Sequence, residues 1–176
     1  MKKILQTTMT AFLAIMVGCN GGGSSNTTST NDSIATDTSS AMNNNAPAAT
    51  NNVMTATGLP MGPDQEVPPN KSHASGTADV TYNKDTKMLV YTLNWKGLTG
   101  IPTMAHIHGT APRGTNAGVM HDLSNVLKKA ISGSFTDSVK IDASGIKEDS
   151  LLSGFYYFNI HTPKNPGGEI RGQIVF

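Results

Sequence analysis

Polar and apolar residues along this chain fall into three regimes. After Lys2 and Lys3 comes a short apolar stretch with its core at residues 9–17. Residues 20–52 are then Gly, Ser, Thr, Asn and Ala, broken only by Asp32, Ile34, Asp37, Met42 and Pro47, with no apolar period. From about residue 53 onward the pattern becomes one of short alternating runs. Ala78-Asp79-Val80-Thr81-Tyr82 alternates small or apolar with polar residues, and 88–95 is rich in strand formers. The polar run 83–87 between them predicts a β-hairpin. Residues 132–141 read as a further strand, and 155–161 with 169–176 as a final pair whose last strand runs to the end of the chain. Pro163, Asn165-Pro166 and Gly167-Gly168 lie between that pair. Proline fixes φ and glycine accepts positive φ, so this segment suits a chain reversal. One helix is expected, a short piece at 146–152 between Gly145 and Gly154, with Glu148 and Asp149 in its early turn. Short strands with turn signals about every 8–12 residues predict an all-β domain, a sandwich or Greek-key barrel.

The amino-terminal regime has the three parts of a secretory signal peptide: a charged start, a short apolar core and small residues at its end. The apolar run is too short to cross a bilayer core, which takes about 20 residues. Met16-Val17-Gly18-Cys19 resembles the lipobox of bacterial lipoproteins, with methionine in place of the usual leucine. The resemblance implies a signal peptide over 1–18, cleavage before Cys19 and a lipid on that thiol. The bland alternative is an ordinary signal peptide followed by an incidental cysteine. Cys19 is the only cysteine, so no intramolecular disulfide can form. Acyl chains gain about 0.8 kcal/mol per buried methylene, enough for two or more to hold a protein on a membrane. Asn20, rather than aspartate, after the cysteine points to an outer-membrane destination, facing the periplasm or the cell surface. Residues 19–53 then form the anchor and a disordered tether, with too little apolar surface to offset ordering and a reach of roughly 30 Å.

Charge narrows the function classes. Lys and Arg total 13 against 12 acidic residues, so no basic field exists to support nucleic-acid binding. No G-x-S-x-G elbow, P-loop or dinucleotide fingerprint is present. The glycine-bearing stretch 109–118 lacks the Gly-Lys-Ser/Thr ending that cradles phosphate, and reads as a loop with a solvated Arg113. Catalysis has no support in these patterns, and the chain reads more as a binding module than as an enzyme.

Candidate chemistry lies in the histidines. In a strand, residues i and i+2 share a face. His106 and His108 therefore point one way, with Met104 on their side and Ile107 opposite. Asn159 and His161 likewise share a face. If these strands lie close, His106, His108 and His161 converge, with Asn159 or Met104 at the edge. Neutral imidazoles on rigid strands suit copper or zinc, and a thioether favours Cu⁺. The alternative is a structural network in which imidazoles bond loop carbonyls and brace the sheet, joined by Glu169 and Arg171. His73 and His121 sit in polar, turn-like contexts and read as surface residues, with His121 also a candidate fourth ligand.

Gln65-Glu66-Val67-Pro68-Pro69, Ala105-His106-Ile107-His108-Gly109, and Asn159-Ile160-His161-Thr162 running on to Gly167-Gly168-Glu169-Ile170-Arg171-Gly172-Gln173 stand in an order that resembles the CHRD domain, over about 54–176. That resemblance implies an immunoglobulin-like β-sandwich, distantly similar to Cu/Zn superoxide dismutase, and no general activity. The dismutase's dinuclear centre needs more histidines than the five present here, so a mononuclear site is the most this chain could build. Two expectations follow. One is a lipid-anchored envelope module with a mononuclear copper or zinc site at His106, His108 and His161. The other is a structural or adhesive module that binds an extracellular protein or glycan, its histidines bracing the fold.

Overall fold

The computed structural model describes residues 52–142 and 144–176. The expected signal peptide, Cys19 and the tether up to residue 51 lie outside them.

The expected hairpin forms from β2 (Ser75–Asn83) and β3 (Met88–Lys96). Its turn is pinned by the Asn83 side chain, whose oxygen accepts the backbone N–H of Asp85 at 2.9 Å and of Thr86 at 3.0 Å. This is the local bonding that makes asparagine a turn residue. β1 (Val53–Met61) pairs with β2, and β6 (Gly133–Lys140) pairs with β3, giving an antiparallel sheet of order β1-β2-β3-β6. The second antiparallel sheet comprises β4 (Met104–Gly109), β5 (Val119–Asp122), β7 (Tyr156–His161) and β8 (Ile170–Gln173), in the order β5-β4-β7-β8.

Alternation on the first sheet sends Ala78, Val80 and Tyr82 of β2 and Leu89, Tyr91, Leu93 and Trp95 of β3 inward. They pack in one core with Ala105 and Ile107 of β4, Phe158 and Ile160 of β7 and Ile170 of β8. Tyr91 and Phe158 meet across the two sheets with ring centroids 5.3 Å apart. Burying each such side chain contributes about 1.5–3 kcal/mol. Two antiparallel sheets sharing one core give the protein β-sandwich character, and among the described residues there is one short α-helix, α1 (Glu148–Leu152), besides a single 3-10 turn at Pro63–Gln65.

Three details differ from the sequence reading. The helix begins at Glu148 rather than 146, because the Ile146 carbonyl accepts the Asp142 N–H at 2.8 Å and its buried side chain belongs to the core. β8 ends at Gln173 instead of running to residue 176. Ile174 still donates to the Tyr156 carbonyl at 2.9 Å, but β7 starts there and offers no further partners. β1 and β5 were not expected as strands. β1 carries a register shift between Ala56 and Leu59, and β5 is only four residues long.

The second sheet, its edge strand β5 and Met104 apart, is buried on both faces. Its outer face bears His106, His108, Tyr157, Asn159, His161, Arg171 and Gln173, none more than 9% exposed. Two loops cover this polar layer. One contributes Glu66 and the other Thr115, Asn116 and Ala117.

Candidate metal centre

β4 and β7 run antiparallel with Met104 opposite His161, His106 opposite Asn159 and His108 opposite Tyr157. The pleat therefore sends His106, His108 and His161 to the same outer face of adjacent strands. Their candidate donor nitrogens all lie within 4.8 Å of one another, so the three imidazoles expected to converge do so. His106 Nδ1 and His161 Nε2 stand 3.0 Å apart.

Hydrogen bonds assign the protons. A carbonyl oxygen only accepts, so His161 Nδ1 donates to the Pro166 carbonyl at 3.0 Å and its Nε2 carries a lone pair. In the contact with that Nε2, His106 Nδ1 must then be the donor. His108 Nδ1 donates to the Ala117 carbonyl at 3.0 Å, which leaves His108 Nε2 a lone pair with no hydrogen-bond partner, buried. Unmet buried acceptors are rare and costly, about 1–3 kcal/mol each. A metal ion held by the three rings would satisfy this one, as would a water donating to it. The outer nitrogen of His106, Nε2, faces Asp122 Oδ1 at 3.8 Å.

Each ring thus turns one nitrogen toward an oxygen acceptor and the other toward the cluster. His108 and His161 are held as metal-binding histidines commonly are, with the outer N–H fixing ring orientation and tautomer, whereas the outer nitrogen of His106 carries no proton in this arrangement. Burial lowers the pKa of all three, that of His161 to about 4 with help from the two neighbouring rings. Near neutral pH the rings are uncharged, the form that ligates metal. Three imidazole nitrogens suit zinc at about 2.0–2.1 Å, and copper equally well.

The surrounding layer is stacked and braced. Tyr157 lies parallel to the His108 ring at 5.0 Å, and the Arg171 guanidinium sits 3.4 Å over the Tyr157 ring. Arg171 also donates to the Thr115 carbonyl at 2.9 Å, tying down the loop that supplies Ala117. Asn159 Nδ2 donates to both Glu66 oxygens, at 3.1 and 3.0 Å, while its Oδ1 is buried and unpartnered.

The structure separates the remaining candidates. His121 lies on β5 opposite Ile107 and is not part of the cluster, because one step along a strand changes the face. The neighbouring Asp122, passed over in the sequence, is the residue that faces His106. His73 is exposed, as expected of a surface residue. Met104, 40% exposed, stands opposite His161 at the rim. Arg171 joins the buried network, but Glu169 does not. Its carboxylate instead accepts from the Ser72, Thr99 and Thr162 hydroxyls and the Thr99 N–H, which ties three loops together. Glu66 was also missed as a site residue, although the Gln65–Pro69 segment that contains it carries part of the family resemblance.

Fold and site together define a two-sheet antiparallel β domain with a buried three-histidine cluster on the outer face of one sheet. Residues 57–174 match the CHRD domain family, and the chain belongs to it. No match was found among curated proteins or among solved structures.

Proposed function

We propose that this protein is a cell-envelope binding module that holds one copper or zinc ion on His106, His108 and His161, and that a lipid on Cys19 anchors it to the membrane. The observation that carries the metal reading is the division of labour on each ring, above all the buried, unpartnered Nε2 of His108 beside two other imidazole nitrogens. The lipid reading is supported by Cys19 standing alone after Met16-Val17-Gly18 and before a polar run. An immunoglobulin-like sandwich, distantly similar to Cu/Zn superoxide dismutase, is the fold type we infer, supported by two four-stranded antiparallel sheets with β4 opening the second.

The test is metal content. Full-length protein purified from membranes is expected to hold about one Cu or Zn per chain, and His108→Ala to hold none while remaining folded. A Cys19→Ser variant is expected to leave the membrane fraction. Absence of bound metal at micromolar free ion, with His108→Ala simply less stable, would instead establish the second reading. That reading is a structural or adhesive module for a protein or glycan ligand, its histidines bracing the fold. It is favoured by one observation, that His108 and His161 do pin the carbonyls of Ala117 and Pro166.

A further inference from the structure

His106 differs from its two partners in the cluster. His108 and His161 each donate through Nδ1 to a backbone carbonyl and so present Nε2 inward. His106 is turned the other way, with Nδ1 toward the cluster and Nε2 toward Asp122 Oδ1 at 3.8 Å. Without an ion its proton must sit on Nδ1, since His161 Nε2 has none to give. A neutral imidazole that ligates through Nδ1 carries its proton on Nε2 instead. Occupation of the site therefore requires His106 to exchange tautomers. One proton leaves Nδ1 and one is taken up at Nε2, both through water, with no net change on the ring. Whatever stabilises a proton on Nε2 favours the ligating form.

The acceptor on that side is a carboxylate. β5 pairs with β4 so that Asp122 stands directly opposite His106, and the Asp122 side chain is 60% exposed whereas the His106 side chain is 11% exposed. The carboxylate is itself oriented, because its Oδ1 also accepts the Ser124 N–H at 2.8 Å. We propose that Asp122 is a positioning residue for the metal, selecting the His106 tautomer that ligates through Nδ1. Carboxylate–histidine–metal relays of this kind raise metal affinity by roughly 10–100-fold. The inference rests on the metal reading above, and names the residue on which affinity at that site depends.

Asp122 also has an ordinary role, its turn bond to Ser124, and the test separates the two. Asp122→Ser retains a side-chain oxygen able to accept the Ser124 N–H but removes the carboxylate. Asp122→Asn retains an oxygen at the same reach and removes only the charge. Zn²⁺ and Co²⁺ affinities of the full-length chain are measured by competition with a chelator, together with the melting temperature of each metal-free variant. The expected result is Asp122→Ser weaker by about 10–100-fold, Asp122→Asn intermediate, a changed visible Co²⁺ band in both, and metal-free melting temperatures close to that of the parent. Parent-like affinity and an unchanged Co²⁺ band in both variants would overturn the proposal while leaving the metal site standing. So would a loss of affinity that merely tracks a fall in melting temperature. No Zn²⁺ or Co²⁺ uptake by the parent would overturn the metal reading and this inference together.

Discussion

Glu66 is a carboxyl group buried against Asn159, and desolvation raises its pKa from 4.5 to about 7, outweighing the Asn159 hydrogen bond and the nearby Arg171 charge. The folded protein therefore holds this proton more tightly than the unfolded chain does. Its stabilising contribution is full below pH 4.5 and disappears as pH rises toward 7. Glu66→Gln, which cannot ionise, should gain on the parent across that window by up to about 3 kcal/mol, read from urea midpoints at pH 4.5 and pH 8. His161 has the opposite sign. Its pKa is depressed to about 4, so the stability it contributes is present above 6.5 and is lost as pH falls through the folded value. A metal-free His161→Gln variant should therefore lose the parent's extra acid sensitivity between pH 6.5 and 4. The imidazoles could be picked out of the sequence because a period of two places i and i+2 together. Glu66 and Asp122 could not, since the first reaches the site from a loop and the second from a strand too short to declare itself.

At the level of elements, legibility followed exposure. β2 and β3 have one face in the core and one in water, so Val80-Thr81-Tyr82 and Leu89 through Trp95 announce their strands. β7 and β8 are buried throughout, their outer polar residues roofed by loops, and their strand character came from aromatic and β-branched residues instead of from alternation. The roof depends on one tight turn before β8. Gly168 has φ +133°, and a Cβ there would lie 2.5 Å from Asn159 Nδ2 and 2.6 Å from Glu66 Oε1. Gly168→Ala should cost about 1–3 kcal/mol in chemical denaturation. It should also weaken metal binding, because the same turn presents the Pro166 carbonyl to His161.

On the scale of the whole molecule, a ligand that binds only the folded state stabilises it by RT ln(1 + [L]/Kd), about 2.7 kcal/mol at a hundredfold excess over Kd. For a β domain of this size that corresponds to a melting-temperature rise on the order of 10 °C, absent in His108→Ala. Calorimetry with and without added Zn²⁺ checks it.

The backbone oxygens that aim two of the rings belong to connections far apart along the chain, Ala117 between β4 and β5 and Pro166 between β7 and β8. An ion seated among the imidazoles would act as a rivet through both. Backbone amides around these two carbonyls would then exchange with deuterium more slowly in step, and a protease would find both connections closed at once, so the roof over this sheet would report on the metal supply outside it.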